Sequence, residues 1–154
     1  MHRSIAVHMF AVCLLGTASA WGASADERAL ASTETRQGLL KVVVSYFGPI
    51  VGMAREQIPY DADVVKNNAE KIATLLPMIP DVFRADTRAF DLDTEALDAI
   101  WENTADFAEK AAAATQRAEA LAAATAAGQG EAMKAFGALC AACKACHDNY
   151  RQQD

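Results

Sequence analysis

The sequence predicts an all-α protein, an antiparallel four-helix bundle. Three observations predict it. Apolar residues recur every three or four positions over four segments, no segment alternates as a strand would, and turn residues separate the segments by mostly short links. Helices of this kind bury their apolar stripes best side by side and antiparallel. The 154 residues suffice for one domain with a single core. Apolar residues make up 53% and aromatics only 7%, with Ala crowding the stretch from 111 to 127, so the helices should pack closely.

The first helix is expected over about 27–52, with Leu40, Val44, Phe47 and Val51 as its stripe. It breaks at "QIPYD", where Pro59 pushes Ile58 out of helical geometry. Asp61 or Asp63 can cap a second helix, roughly 63–76, which turns Val64, Ile72 and Leu75 or Leu76 inward. Residues 77–93 hold two prolines and mixed charges and read as an ordered, irregular connection. A third, long helix follows over about 94–127, through Leu97, Ile100 or Trp101, Thr104, Phe107, Ala111, Ala114, Ala118 and Leu121. "AAGQGEA" ends it, because Gly128 and Gly130 suit the left-handed positions that stop helices. The fourth, 130–152, aligns Met133, Phe136, Cys140, Cys143, His147 and Tyr150 along one side.

The N-terminus reads as a signal peptide covering residues 1–25. "MHRS" is a short positive region, "IAVHMFAVCLLG" is an apolar core of signal-peptide length, and two A-x-A sites end at Ala20 and Ala25. Cleavage after Ala20 or near Ala25 would leave an exported domain, 26–154. It would also remove His2, His8 and Cys13, so that His147 is the one histidine left, with Cys140, Cys143 and Cys146. No apolar stretch reaches the roughly 18 residues of a membrane-spanning helix, so no membrane insertion is expected. The charge of −6 at pH 7 and the lack of basic runs argue against nucleic acid as a partner.

"CKACH", residues 143–147, is the pattern of covalent c-type haem attachment. Cys143 and Cys146 lie one helical turn apart, so both thiols can reach one porphyrin edge, and His147 can turn its imidazole to the iron. Rival readings are a buried histidine beside chance cysteines, a zinc site and a redox pair. Zinc would need four ligands within eight residues of an unwound helix, and a thioredoxin-like pair needs a neighbouring strand. One haem c per chain is the expected cofactor. Cys140 is then left over, and packing as a small apolar residue suits it.

The iron's sixth position decides the chemistry. The methionines after residue 25 are Met53, Met78 and Met133, and the first helix offers Leu39, Leu40, Val43 and Val44, with Lys41 turned to solvent. A vacant position under an aliphatic cover is therefore expected, with Met78 as the alternative ligand.

"RQGLL" (36–40), "YFGPIVG" (46–52), "IPYDA" (58–62) and above all "FGALCAACKACHDNYR" (136–151) resemble the cytochromes c′ of the bacterial periplasm. The resemblance implies a four-helix bundle with high-spin, five-coordinate haem, commonly a homodimer through its first two helices. It implies thioethers at Cys143 and Cys146, His147 as axial ligand, Arg36 and Gln37 at the haem edge, Leu40 on the distal face, and Arg151 on the proximal side. Phe83 would line the pocket or be plain core. Cys140 departs from the family pattern.

The function expected is binding of nitric oxide or carbon monoxide in the periplasm, with possible electron transfer to an unidentified redox partner. Nitric oxide could displace His147 beside Arg151. The alternative is a low-spin electron carrier with a Met sixth ligand. Enzymatic turnover is not expected, since a peroxidase would need a distal acid–base residue and no second His is available.

Overall fold

The structure, a computed structural model, describes residues 22–153. Most of the expected signal peptide lies outside the described residues. Four long helices form the bundle: α1 (Ala25–Ala54), α2 (Ala62–Leu75), α5 (Thr104–Ala124) and α6 (Gln129–Tyr150). Two single turns, α3 (Ile79–Val82) and α4 (Ala99–Glu102), punctuate the connection between α2 and α5. Among the described residues there is no strand, only an isolated bridge between Ala96 and Arg151.

Local chemistry sets most helix ends. Ser24 Oγ accepts the Glu27 amide at 3.1 Å while the Glu27 carboxylate accepts the Ser24 amide at 2.6 Å, a capping box that starts α1. The expected cleavage point near Ala25 thus falls on the first residue of α1. After α1 the chain reverses tightly, with Ile58 packed so close to Gly52 that an added Cβ would meet it at 3.3 Å. Asp61 caps α2, its Oδ1 accepting the amides of Asp63 and Val64, both at 3.0 Å. Gly128, at φ +96°, makes the reversal before α6. Gly130 lies within α6 and has no such role.

The main core joins Val43, Ile50 and Met53 of α1 to Val65, Ala69 and Ile72 of α2, and to residues of α5 and α6. Ala111, Ala114 and Ala118 are all buried on α5, so α2 and α6 can approach it closely. A second cluster, Phe83, Ile100, Phe107 and Tyr150, fills the end of the bundle where α6 stops. Its rings meet edge to face, Phe83–Phe107 at 5.3 Å and Phe107–Tyr150 at 5.1 Å.

The expected third helix is shorter at its start. Residues 94–98 are not helical, α4 is a single turn, and α5 begins only after Asn103. Competing tertiary bonds explain this. The Leu97 amide donates to the Tyr150 carbonyl at 3.0 Å, and the Gln152 amide donates to the Glu95 carbonyl at 2.8 Å. The stripe expected on α1 is also rotated. Buried positions are Ala29, Thr33, Arg36, Val43, Ile50 and Met53, whereas Leu40 is 37% and Val44 66% exposed. On α6, Phe136, Leu139 and Tyr150 face the core, while Cys140 and His147 do not. In α2, Val65 rather than Val64 is fully buried.

α1 is long and apolar enough to cross a membrane by length and composition, contrary to the sequence expectation; its most apolar window has mean hydropathy 1.3. The same helix buries the charged Arg36 and carries the Val43–Ile50–Met53 face of the core. That packing is the ordinary role of an apolar helix in a bundle.

Arg36 is 2% exposed and organises the irregular connection. Its Nε donates to the Val82 carbonyl at 3.0 Å, one terminal nitrogen to the Ala85 carbonyl at 2.6 Å, and the other to Thr87 Oγ1 at 2.8 Å. The guanidinium also lies 4.9 Å from the Phe83 ring centre and 5.3 Å from that of Trp101. The Trp101 indole N–H donates to the Phe83 and Ala85 carbonyls at 2.9 and 3.2 Å. Thr87→Val keeps the shape but removes an acceptor from a buried cation. We expect it to lower unfolding free energy by about 1–3 kcal/mol, read as a lower urea midpoint with an unchanged denaturant slope.

Candidate haem site

α6 runs unbroken through Cys140, Cys143, Cys146 and His147, so all four keep their helical spacing. Cys143 packs against the main core and Cys146 against the second cluster, so the two thiols straddle the junction between them. His147 stands at the mouth of an open cavity of about 330 Å³ whose lining includes Phe47, Cys140, Cys143, Lys144 and Arg151. The three thiols are free. An unbroken helix keeps these residues from converging on one ion, as a zinc site would require.

α5 packs on α2 and α6, and α2 packs on α1, but α1 and α6 hardly touch. The fourth side of the bundle is therefore an open seam. Phe47 of α1 meets Phe136 of α6 with ring centres 6.0 Å apart. From that contact the helices run antiparallel, so seven residues back along α1 and seven forward along α6 bring Leu40 level with Cys143. About three residues further, Arg36 and Gln37 come level with Cys146 and His147. Leu40 and Val44 are exposed on α1 at this level of the bundle.

The residues fit a haem. The two thiols are the attachment chemistry, and Cys143 and His147 line one open cavity with Phe47 of α1. The polar end of the seam holds Arg36, a buried cation that makes no ion pair with any carboxylate among the described residues. Burial lowers its pKa, with Asp86 opposing. Buried charges are normally matched by an opposite one, and haem carboxylates would supply it. One turn earlier on the same face, Thr33 Oγ1 is buried without a hydrogen-bond partner. Gln37 Nε2 donates to the Asp93 carbonyl at 3.0 Å and is half-buried.

Burial tunes the cluster. It pushes the Cys143 thiol up to about 11, with Cys140 and Cys146 adding to the effect. The Cys146 thiol is raised by burial, with Lys110 opposing and Asp106 reinforcing. Burial also raises the Cys140 thiol. Packing around the His147 ring lowers its pKa, followed by the Arg151 cation, against Asp148 and Glu95. A neutral imidazole is the form that can ligate a metal.

Several contacts that shape the site carried no sequence signal. Tyr150, 5% exposed, donates its hydroxyl to Asp106 of α5 and anchors the last turn of α6. Glu95 pairs with Arg151, and Trp101 fixes the backbone around Phe83. All three contacts join positions far apart in the chain, beyond the reach of periodicity. Phe83, left between lining and core, is buried in the second cluster. Met53 is in the main core, Met133 packs against it, and Met78 is 44% exposed.

A profile of the family described as Cytochrome C′ matches residues 31–151. The cytochrome c′ of Cereibacter sphaeroides is 38% identical over 120 residues, 77% of this chain and 80% of that protein. Among solved structures, cytochrome c′ from Rhodobacter Spheriodes superposes with a TM-score of 0.74 at 35% identity, covering 82% of this chain and 98% of that one. The nitric oxide complex of a mutant of cytochrome c prime from Alcaligenes xylosoxidans superposes with a TM-score of 0.68 at 33% identity, covering 79% and 94%.

Burial, then the bond to Asp106, pushes the Tyr150 phenol up to about 12. The unfolded value is about 10, so the folded protein holds this proton longer. Its stabilising contribution is complete below about pH 10 and disappears as pH rises through about 12. We expect the denaturant midpoint to fall between about pH 9 and about pH 11, and Tyr150→Phe to flatten that fall.

Proposed function

The chain belongs to the cytochrome c′ family and is a c-type cytochrome, and on that premise we propose that it binds nitric oxide in the periplasm. The observation that carries this reading is the unbroken helical spacing of Cys143, Cys146 and His147 on α6, with Cys143 and His147 lining one open cavity. Cys143 and Cys146 would hold the haem by thioethers, and His147 would ligate its iron. Arg36 and Gln37 lie toward its carboxylates. The bound haem supplies an iron centre able to take a diatomic gas.

The chain's own residues set what that centre meets. Across the seam, α1 presents Leu40 and Val44, while Lys41 is exposed. No histidine is available there, and the three methionines sit in or against the core or on an exposed turn. This supports a high-spin, five-coordinate iron over the low-spin carrier with Met78. Leu40 hinders entry on the distal side. Dioxygen is disfavoured, since that wall offers no hydrogen-bond donor. On the other face, His147 can yield to nitric oxide beside Arg151. The protein captures the gas stoichiometrically and is not an enzyme, though it can also pass electrons to a redox partner.

Export to the periplasm follows from the N-terminal pattern. A homodimer through α1 and α2 would cover Leu30 and Val42, which are 48% and 44% exposed in the single chain.

The reduced holoprotein should give a broad, high-spin absorption spectrum that changes when nitric oxide is added. A sharp low-spin spectrum that resists the gas would overturn the reading and make the protein an electron carrier. Leu40→Ala, which opens the distal wall, should speed nitric oxide binding by at least about ten-fold, equivalent to roughly 1.4 kcal/mol of barrier, in stopped-flow measurements. Its visible spectrum before addition should be unchanged.

A further inference from the structure

The C-terminal turn of α6 is tied to a segment 56 residues earlier in the chain. Arg151 Nε donates to Glu95 Oε2 at 2.5 Å. The backbone fixes both partners, because Ala96 and Arg151 form a bridge and the Gln152 amide donates to the Glu95 carbonyl. The His147 carbonyl accepts from the Arg151 amide at 3.0 Å and from Gln153 Nε2 at 3.1 Å. Glu95, Arg151 and the backbone of His147 therefore belong to one bonded unit.

We propose that Glu95 is the positioning residue for Arg151 and, through it, sets how readily the proximal side of His147 opens to an incoming gas. The inference rests on the proximal displacement of His147 proposed above and names what regulates it. Arg151 lines the same cavity as His147. The bond to Glu95 takes the Arg151 Nε–H and so sets the direction of its terminal nitrogens, which limits how the guanidinium turns toward a ligand on the iron. Hydrogen bonding from Arg151 keeps the Glu95 carboxyl below its ordinary range, so the pair is ionised at neutral pH. The pair is also breakable, with side chains 45% and 56% exposed. An exposed pair of this kind shifts an equilibrium by no more than about five-fold, which suits a restraint that must release.

The test compares four holoproteins: wild type, Glu95→Gln, Arg151→Ala and the double variant. The first readout is the rate at which the ferrous nitric oxide adduct passes from six- to five-coordinate, followed by its absorption spectrum. Glu95→Gln should raise that rate by about two- to five-fold, Glu95→Asp should restore much of the restraint, and Glu95→Gln should do nothing in the Arg151→Ala background. An unchanged rate in Glu95→Gln, or an equal effect in both backgrounds, overturns the inference. A wild-type adduct that stays six-coordinate overturns the displacement reading instead. The second readout, the haem midpoint potential, needs no nitric oxide. If Glu95 acts by placing Arg151, its replacement shifts the potential by different amounts in the two backgrounds, and equal shifts overturn the proposal on their own.

Discussion

A guanidinium buried at one end of the bundle holds the irregular half of the molecule in place. Arg36 spends its hydrogen bonds on the carbonyls of Val82 and Ala85 and on the hydroxyl of Thr87, none of which carries a full negative charge. The connection between α2 and α5 has little regular structure of its own, so these bonds substitute for a helical ladder. They bring Phe83 against Trp101 and Phe107 and so build the second cluster. Removing water from an arginine without a carboxylate partner is costly. Here the cost is offset by those three hydrogen bonds, by the flanking Phe83 and Trp101 rings and by the field of Asp86, which makes Arg36 a structural clamp.

The second dependence is the unequal packing of the four helices. α5 is narrow because its inward face is largely alanine, so α2 and α6 close on it. α1 closes on α2 but leaves α6 apart, and an open cavity lined by Phe47, Cys143 and His147 lies between them. Cys143 and Cys146 sit where the two core clusters meet. A ring attached there would touch both, and its attachment would tie the regular part of the bundle to the irregular end. The cofactor in a c-type cytochrome of this architecture is therefore part of the core as well as its reactive group.

The helices and the spacing of the cysteine cluster were legible because they depend on local rules. Period, caps and breaks place α1, α2 and α6 to within a few residues, and the spacing of Cys143, Cys146 and His147 survives in a straight helix. The helix expected from residue 94 failed for a nonlocal reason. Residues 95–97 have acceptable helical pattern, yet their backbone groups bond to residues 150–152 at the far end of the chain. The rotated face of α1 failed similarly. Leu40 and Val44 look like core by period alone, whereas the core takes Val43 and Arg36 and leaves the other stripe facing the seam.

By itself the sequence determined that the chain forms helices, where most of them begin and end, and which thiols and imidazole share one side of α6. Those properties follow from steric and hydrogen-bonding preferences over a few neighbouring residues. Only the tertiary structure decided which apolar positions of α1 became core and which stayed exposed. It also decided that Arg36 is buried, that Glu95 meets Arg151, and that Tyr150 is anchored to Asp106. Each of these joins residues more than forty positions apart. Such contacts are fixed by how four whole helices share their surfaces, and no stretch of the chain carries that information alone.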